Sequence, residues 1–430
     1  MTAALATDVH ERLLTRRDMP LSHLPRVQPI SYDAYCASGG YAGWARAASM
    51  PQGAVVDAVA RSGLLGRGGA GFSTARKWEM VIARQAAQKY LVCNAAEDEP
   101  GTFKDRYLLR DNPHQLLEGV LIAAHAIGAS TAYVYINGHY AEEAVFMAEA
   151  VGAARQDGRF QTDSGEIDVR IANSPGSYVA GEETAAIAVI EGGVARPRQK
   201  PPYYPAASGL YGMPTAINNA ETLSNLPFVL REGPEAFRSV GAGWGTMIFT
   251  LTGDVSRPGL YELPLGTPIR TLIETCGGGV KNGKRLKALF PGGPSNTIIT
   301  SAEIDTPLDF QSLRAIGSGL GTGAVIVMSE DVCMVQTAIE YGRFFARESC
   351  GQCPPCVLGL DHLSVTLEKI EAGQGDENDV RQVGQICGMI KGRGYCYLLT
   401  GAAIAVESIF RHFRHEFDAH VEVAHCPAAA

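Results

Sequence analysis

The N-terminal half of the chain alternates between helical and strand-like patterns of hydrophobic residues. Hydrophobic positions recur with helical spacing over residues 54–62, 114–129 and 142–155. Three other stretches have the short apolar run or the alternation of a strand, namely residues 89–93, 131–136 and 166–172. Because strands and helices follow each other in turn, the pattern predicts an α/β layered domain.

The pattern changes near residue 245. Strands are expected over residues 247–252 and 258–263, a helix over 269–276, and further strands at Leu289 and over 324–328. This arrangement indicates a small α+β module. From residue 331 onward four helical patterns remain, over residues 332–347, 357–371, 379–390 and 400–417, and they predict a four-helix bundle.

These patterns together predict a multidomain α/β protein. Residues 1–30 are expected to form a loosely ordered N-terminal arm, since Pro20, Pro25 and Pro29 interrupt any helix. The expected domains are an α/β domain over residues 31–240, a small domain over residues 241–330 and a helical domain over residues 331–430.

Composition narrows the class of protein. Ten cysteines in 430 residues are too few for a disulfide scaffold, and a net charge of −8 argues against a nucleic-acid-binding surface over the whole protein. No segment reaches the roughly 18 consecutive apolar residues of a membrane span. Any membrane association is therefore expected to come through a partner.

The strongest chemical signal is the spacing of Cys350, Cys353 and Cys356. Three thiolates on one tight loop suit three corners of a cubane iron–sulfur cluster, whereas a zinc-stabilised loop is the alternative. The fourth ligand is either Cys387, inside an apolar helical stretch, or Cys396, which follows a glycine turn and is preferred. The other cysteines are isolated in the sequence and are expected to be small buried residues: Cys36, Cys93, Cys276, Cys333 and Cys426.

A glycine-rich loop at residues 66–72 formally matches G-x-G-x-x-G. The usual dinucleotide fingerprint follows a strand, but here a helical pattern precedes the loop, so a plain glycine turn is the alternative. Glycines nevertheless let backbone N–H groups approach a phosphate or a flat ring, and Arg67 and Lys77 add positive charge suited to an anionic cofactor.

Four further segments carry polar groups that suit a ligand site. Glu97, Asp98 and Glu99 follow the strand at 89–93, where α/β sheets bind ligands, although a solvated acidic turn has the same composition. The pair at residues 182–183 either contributes to a site or caps the apolar helix that follows. The last two segments are a stiff cationic and aromatic loop at residues 200–205 and a pair of amides at residues 218–219.

Taken together and in this order, these motifs resemble the flavoprotein subunits of NADH-quinone oxidoreductases and the related diaphorase subunits of NAD-linked hydrogenases and formate dehydrogenases. The resemblance runs from about residue 30 to 418. It rests on GRGGAGFSTARKW (66–78), NAAEDEPGTFKDRYLL (94–109), SYVAGEETA (177–185), RPRQKPPYYP (196–205), GMPTAINNAETL (212–223), ESCGQCPPC (348–356) and GYC…RHF (394–413).

The resemblance implies FMN, NAD(H) and one [4Fe–4S] cluster as cofactors. It implies that residues 31–240 bind FMN and NADH, that residues 241–330 form a β-grasp-like domain of the soluble ligand-binding type, and that the helical domain carries the cluster on Cys350, Cys353, Cys356 and Cys396. The residues implied around FMN are Gly66, Arg67, Gly68, Lys77, Asn94, Gly181, Glu182, Asn218 and Asn219. Those implied around the nicotinamide dinucleotide are Phe72, Glu99, Glu183, Lys200 and Tyr203. Glu97 lies between the two sets, and Gly69, Tyr178 and Ile217 complete the cofactor site.

The implied function is hydride transfer from NADH to FMN, followed by single-electron transfer through the cluster to partner subunits and finally to quinone. No side-chain general base is expected, because FMN carries the chemistry. The implied partners are a thioredoxin-like [2Fe–2S] subunit and a larger iron–sulfur subunit, in a cytoplasmic complex peripheral to the inner membrane.

Two alternatives remain open at this point. The chain is alternatively the diaphorase subunit of a soluble NAD-dependent formate dehydrogenase or hydrogenase. It is alternatively a non-catalytic electron-transfer subunit whose nucleotide site has decayed. The family usually has an acid where this chain has Ala96 and an aromatic residue where it has Met80, and these two departures motivate the second alternative.

Overall fold

The computed structural model describes residues 12–16, 18–162 and 165–426. Within these residues the strands form a four-stranded sheet, a six-stranded sheet and a two-stranded hairpin. The strands in chain order are β1 (Met19–Pro20), β2 (Tyr90–Ala95), β3 (Thr131–Ile136), β4 (Gln161–Thr162), β5 (Gly165–Glu166), β6 (Asp168–Asn173), β7 (Thr215–Asn219), β8 (Thr246–Gly253), β9 (Gly259–Pro264), β10 (Leu286–Phe290), β11 (Ile299–Thr300) and β12 (Ala324–Ser329). The strand ranges expected from the sequence are all present, and β3 matches its expected bounds.

Helices cover both halves of the chain. In chain order they are α1 (Tyr32–Ala37), α2 (Ala42–Ala48), α3 (Gln52–Ser62), α4 (Thr74–Ile82), α5 (Lys104–Asp111), α6 (Pro113–Ile127), α7 (Ala141–Gln156), α8 (Glu183–Ile190), α9 (Pro205–Ser208), α10 (Ala220–Ser224), α11 (Leu226–Glu232), α12 (Pro234–Arg238), α13 (Phe310–Ala315), α14 (Met334–Arg347), α15 (Pro354–Glu371), α16 (Glu377–Ile390) and α17 (Leu398–Val423). None of the helices in the described ranges is long and apolar enough to cross a membrane.

The four-stranded sheet has the order β6-β3-β2-β7, and all its strands are parallel. Helix α6 is almost wholly buried, which explains its continuous apolar sequence. It begins at Pro113 behind Asn112, whose side chain accepts a hydrogen bond from the backbone N–H of Gln115, and it ends at Gly128 with a φ of +71°. The α/β layering predicted from the sequence is confirmed, and the carboxyl ends of the parallel strands share one edge.

The six-stranded sheet has the order β1-β9-β8-β12-β10-β11. β8 and β9 form an antiparallel hairpin, and β12 joins β8 in parallel. The helix expected over residues 269–276 is present, and its residues Thr271–Cys276 form a π-helical turn.

Part of the predicted N-terminal arm is anchored to this sheet. The buried Glu262 carboxylate accepts hydrogen bonds from the backbone N–H groups of Leu13, Leu14 and Thr15, and β1 pairs with β9. The described residues of the arm are therefore held by a buried acid, unlike the loose arm that the prolines predicted. Residues 1–11 of the expected arm lie outside the described residues.

The C-terminal part is helical, as expected. Helices α14 to α17 each pack against the next, and α17 packs against α14 as well. Apolar residues of all four helices form one buried core. This packing places the two ends of α14, about 20 Å apart at 1.5 Å per residue, at opposite ends of the helical region.

Candidate functional site

A cavity of about 590 Å³, called the main cavity below, lies between the parallel sheet, the six-stranded sheet and the first turn of α17. The end of β2, the end of β7, loops beside β10 and β12, and helix α13 contribute to its wall. Ligand sites of parallel sheets lie at the carboxyl ends of their strands, and the main cavity has that position.

The glycine-rich loop presents its backbone to the main cavity. The loop is closed by a hydrogen bond from the backbone N–H of Gly66 to the carbonyl of Phe72 (2.8 Å). Gly68 and Gly69 line the cavity. A Cβ on Gly68 would lie 3.0 Å from Cβ of Asn219, and Gly69 has a φ of +124°. The loop therefore approaches the Asn219 side chain at the end of β7 more closely than a residue with a Cβ at position 68 would allow.

The two cations predicted beside this loop turn away from the main cavity. The Arg67 guanidinium is buried and donates from Nη2 to the carbonyls of Trp244 (2.7 Å) and Thr246 (3.1 Å). Lys77 Nζ donates to the carbonyl of Ile217 (2.8 Å). Burial lowers the pKa of Arg67 to about 10 and also lowers the pKa of Lys77. Both side chains connect the loop to neighbouring elements and do not line the cavity.

Glu97 caps the N-terminus of α5. Its carboxylate accepts hydrogen bonds from the backbone N–H groups of Lys104 (3.1 Å), Asp105 (3.1 Å) and Arg106 (3.3 Å). Burial, followed by the nearby Asp105 carboxylate, raises the pKa of Glu97 to about 8. The acidic strand end predicted from the sequence is thus partly buried, and it fixes the helix that follows it.

A buried ion-pair network forms the floor of the main cavity. Lys104 Nζ lies 2.6 Å from Asp105 Oδ1 and 3.1 Å from Glu221 Oε2, and these three side chains are 3% exposed or less. Burial alone would lower the pKa of Lys104, but Asp105 and Glu221 outweigh it and raise the pKa. Asn219 donates from Nδ2 to Asp105 Oδ2 (2.5 Å). The network joins α5 to the end of β7.

Glu99 joins the parallel sheet to a loop of the six-stranded sheet. Its Oε1 accepts from the backbone N–H of Ser295 (2.9 Å), and its Oε2 accepts from Ser295 Oγ (3.0 Å). Tyr178 Oη lies 2.8 Å from the same Ser295 Oγ. Burial raises the pKa of Glu99. The carboxylate therefore lies in the cavity wall among neutral hydrogen-bonding groups.

Glu182 caps helix α8. Together with Glu183, the first residue of that helix, it also binds the ammonium group of Lys200. Glu182 Oε2 accepts from the backbone N–H groups of Thr184 (2.8 Å) and Ala185 (3.0 Å). Lys200 Nζ lies 2.6 Å from Glu182 Oε1 and 2.6 Å from Glu183 Oε1. Burial alone would lower the pKa of Lys200, but the two glutamates raise it. The capping alternative is found, and the structure adds the ion pairs with Lys200, which the sequence did not predict.

A second, small cavity holds the predicted cluster ligands. It is lined by Cys350, Cys353, Cys356 and Cys396, and we call it the cysteine cavity. Cys387 does not line it, because this residue is fully buried on the inner face of α16, where burial raises its pKa to about 12.

Two polar groups face sulfur atoms of the cysteine cavity. The backbone N–H of Tyr395 lies 3.4 Å from Cys353 Sγ, and Gln352 Nε2 lies 3.4 Å from Cys350 Sγ. Hydrogen bonds of this kind tune the potential of an iron–sulfur cluster. None of the ten cysteines forms a disulfide in the described part of the chain. Four thiols on one small cavity, without a disulfide, fit a [4Fe–4S] cluster.

The two cavities share part of their walls. Val179, Cys396 and Leu398 line both the main cavity and the cysteine cavity. The two cavities are therefore adjacent, and Cys396 itself belongs to the wall between them.

Half of the predicted cofactor residues lie directly on the main cavity: Gly68, Gly69, Asn94, Glu97, Glu99, Tyr178, Gly181, Glu182 and Asn219. The other predicted residues do not line it: Gly66, Arg67, Phe72, Lys77, Glu183, Lys200, Tyr203, Ile217 and Asn218. Of these, Phe72 and Tyr203 are exposed, and Asn218 accepts a hydrogen bond from the Trp78 indole.

Sequence reasoning missed several residues of the main cavity. They come from three places, namely Thr102 and the start of α5, α13 with the loops of the six-stranded sheet, and the start of α17: Thr102, Lys104, Asp105, Gly292, Ser295, Asn296, Phe310, Arg314, Ser318, Gly319, Leu320, Gly321, Thr322, Tyr397 and Leu398. Two glycine pairs, Gly-Gly at residues 292–293 and Gly-x-Gly at residues 319–321, could have indicated the loops of the six-stranded sheet as part of the site.

Three family models match the chain. The Nuo51 FMN-binding domain model matches residues 59–227, the SLBB domain model matches residues 248–298, and the NADH-ubiquinone oxidoreductase-F iron-sulfur binding region model matches residues 336–420. The second F-type NADH-quinone oxidoreductase subunit of Rhizobium meliloti is 43% identical over 422 residues, which cover 96% of this chain and 98% of that protein. The chain belongs to the family of F-type NADH-quinone oxidoreductase subunits.

Another member of this family, from Mycobacterium bovis, is 40% identical over 92% of this chain and 91% of its own length. A crystal structure of an NAD+-reducing [NiFe]-hydrogenase in the H2-reduced state superposes with a TM-score of 0.81 at 34% identity. The match covers 87% of this chain, which spans 63% of the length of that hydrogenase chain.

The structure places both residues that depart from the usual pattern of the family. Ala96 lines the main cavity next to Gly181, so the missing acid is a change in the cavity wall itself. Met80 is 46% exposed on α4 and does not line the main cavity. The first departure changes the wall of the main cavity directly, and the second lies outside this wall.

Proposed function

We propose that this chain is the flavoprotein subunit of an NADH dehydrogenase: NADH reduces FMN, and electrons pass singly to a [4Fe–4S] cluster, then to partner iron–sulfur subunits and finally to quinone. The observation that carries the proposal is the wall of Val179, Cys396 and Leu398 shared by the two cavities. This shared wall supports a flavin bound next to a cluster. The flavin would take two electrons from NADH and pass them singly to the neighbouring cluster.

The main cavity fits FMN. Few cationic side chains line the cavity, so the phosphate of FMN would depend on backbone donors. Gly68 and Gly69 would offer their backbone N–H groups to it. A Cβ on Gly69 would meet nothing within 4 Å, so its α-carbon faces open space. Asn94, Gly181 and Asn219 would surround the rest of the cofactor. FMN, when bound, supplies the ability to take two electrons together and release them one at a time.

The remaining carboxylates of the cavity suit a dinucleotide. Glu99 and Asp98 line the cavity, and Asp98 Oδ2 is buried without a hydrogen-bond partner within the described residues. Such acceptors would bind the hydroxyl and amide donors of NADH and orient it on the flavin. Glu183, Lys200 and Tyr203 belong to the outer layer of the same proposed site.

The proposed ligands of the [4Fe–4S] cluster are Cys350, Cys353, Cys356 and Cys396. The proposed domain division is an arm over residues 1–30, an FMN- and NADH-binding α/β domain over 31–240, a β-grasp-like domain over 241–330 and a four-helix cluster domain over 331–430. The SLBB match at residues 248–298 and the packing of α14 to α17 support this division.

The proposed partners are a thioredoxin-like [2Fe–2S] subunit and a larger iron–sulfur subunit. The names of the relatives, which are subunits of oxidoreductases, support an assembled complex. We propose that the complex is cytoplasmic and peripheral to the inner membrane.

Anaerobic addition of NADH to the purified, cofactor-loaded chain tests the function. We expect the flavin absorbance to bleach and a reduced-cluster EPR signal to appear. Bleaching that fails at millimolar NADH, with FMN shown to be bound, would contradict the proposal. Absence of FMN from the native protein, with the cluster present, would instead favour the non-catalytic alternative suggested by Ala96.

A hydrogenase diaphorase is the second candidate, and the superposition on the NAD+-reducing [NiFe]-hydrogenase favours it specifically. Purification of the native complex through a tag on this chain distinguishes the two candidates. Nickel that co-purifies with the chain would support the hydrogenase assignment, whereas NADH-dependent quinone reduction without nickel would support the first proposal.

Replacing Glu99 with glutamine is expected to raise the KM for NADH about tenfold to a hundredfold, with a much smaller change in kcat. A hydrogen bond to a charged acceptor contributes about 1.5–3 kcal/mol, and an energy of 1.4 kcal/mol corresponds to a factor of ten. Steady-state kinetics with an artificial electron acceptor measure both constants.

The control for Glu99→Gln is Ser295→Ala, which removes the Ser295 hydroxyl bond to Glu99 and leaves the carboxylate in place. We expect a smaller rise in KM for this variant. Equal effects of the two variants would mean that Glu99 acts only by holding the Ser295 loop.

A further inference from the structure

Two cysteines that are isolated in the sequence meet at the end of the helical region that lies opposite the cysteine cavity. Cys333 precedes α14 and Cys426 follows α17, while His420 lies near the end of α17 and Glu371 ends α15. Their ligand atoms all lie within 4.8 Å of one another. We call these four residues the terminal cluster.

Two separations within the terminal cluster are close to the edge lengths of a tetrahedral metal site. Cys333 Sγ lies 3.5 Å from His420 Nε2, and Glu371 Oε2 lies 3.1 Å from the same nitrogen. With Zn–S bonds of about 2.3 Å and Zn–N or Zn–O bonds of about 2.0–2.1 Å, sulfur and nitrogen ligands lie roughly 3.5 Å apart, and nitrogen and oxygen ligands roughly 3.3 Å apart.

His420 is oriented as a metal ligand. Its Nδ1 lies 2.6 Å from the carbonyl oxygen of Glu416, and a carbonyl can only accept, so Nδ1 carries a proton. In the neutral ring the lone pair of Nε2 then faces the rest of the cluster. Metal-binding histidines commonly donate their other N–H to a carbonyl or carboxylate in this way.

The Glu371 carboxylate faces His420 in the terminal cluster. Glu371 Oε2 is buried and accepts no hydrogen bond within the described residues, although it faces His420 Nε2. The other oxygen, Oε1, accepts from Gln336 Nε2 (2.8 Å). Glu371 Oε2 and His420 Nε2 lie 3.1 Å apart, close enough for both atoms to bind one cation between them.

The side chains of the terminal cluster are largely shielded from solvent, as in a closed metal site. Cys333, His420 and Cys426 are 5%, 1% and 8% exposed, and Glu371 is partly buried. Thiolate and imidazole ligands in a tetrahedral arrangement select zinc among the common divalent metals, and four protein ligands leave no open position.

We propose that the terminal cluster binds one structural Zn²⁺ ion. The ion would connect the start of α14, the end of α15 and the end of α17, so it would hold together the end of the helical region that the iron–sulfur cluster does not reach. The two cysteines were predicted to be small buried residues, and this proposal gives them a different role.

Metal analysis of the full-length chain, purified with its iron–sulfur cluster and without chelators, tests the proposal. We expect about one zinc ion per chain. Cys333→Ser and His420→Gln should each lower the zinc content roughly tenfold or more and leave the iron content unchanged. Serine is a preferred N-cap residue, so Cys333→Ser retains the cap of α14.

Cys276→Ser is the matched control, since Cys276 is another partly buried cysteine and lies outside the terminal cluster. This variant should keep both zinc and iron. Cobalt substitution gives a second readout, because tetrahedral thiolate coordination produces charge-transfer absorption that Cys333→Ser should abolish. Zinc content that stays the same in Cys333→Ser, or zinc-free wild-type chain from zinc-supplemented cells, would each overturn the proposal.

Discussion

Replacing Cys396 with serine is expected to remove the [4Fe–4S] cluster from the chain. Cys396 lies with three other cysteines on the cysteine cavity, and a cubane cluster needs four thiolates. Iron content should fall from about four atoms per chain to well below one. Iron analysis and EPR spectroscopy of the dithionite-reduced protein measure the loss.

The flavin should remain reducible by NADH in Cys396→Ser, because the loss of the cluster removes only the next electron acceptor. Anaerobic bleaching of the flavin would then persist, whereas electron transfer to quinone through partner subunits would stop. The variant thereby separates the two halves of the proposed reaction.

Cys387→Ala is the matched control for the fourth ligand. Cys387 is fully buried in α16 and does not line the cysteine cavity, so the cluster should remain while stability falls modestly. A Cys387→Ala chain without the cluster, together with a Cys396→Ser chain that retains it, would show that the ligand assignment is wrong.

The sequence predicted those features that depend on neighbouring residues in the chain, such as single strands and turns. Strand β3 occupies the range that its alternating sequence predicted, although the structure buries all six of its residues. Cys396, the preferred fourth ligand, lies on the cysteine cavity, and its role as a ligand stays a prediction. A thiol after a glycine turn leaves the helical pattern, whereas Cys387 continues the buried face of α16.

The cavity lining depends on which distant segments meet, and spacing along the chain carries no such information. Arg67 and Lys77 were expected to face an anionic cofactor, but folding supplies carbonyl partners from β8 and β7 for their buried cationic groups. Ser295 was missed because its partner Glu99 is 196 residues away in sequence. The roles of Arg67, Lys77 and Glu99 as cofactor contacts stay predictions.

The terminal cluster shows the same limit. Cys333 and His420 are 87 residues apart, and no motif spacing links them. Only the antiparallel packing of α14 and α17 brings the start of one helix to the end of the other. Metal sites that a helical bundle assembles from four separate chain positions are therefore invisible to motif analysis.

Replacing Lys104 with methionine is expected to lower the free energy of unfolding of the α/β part by about 3–5 kcal/mol, because it leaves Asp105 and Glu221 as buried carboxylates without a cation. FMN occupancy should also fall, since Lys104 and Asp105 line the main cavity. Urea unfolding followed by tryptophan fluorescence measures the stability, because Trp44 and Trp78 are buried in this part of the chain. Bound flavin is quantified separately.

Lys284→Met is the control for the loss of a lysine, since the Lys284 ion pair with Asp331 is exposed and its removal should change stability little. Adding Glu221→Gln to Lys104→Met removes one of the stranded carboxylates, so the double variant should be less destabilised than the sum of the two single variants. If Lys104→Met were no less stable than Lys284→Met, the buried network would not hold α5 against β7. The main cavity would then need another explanation for its shape.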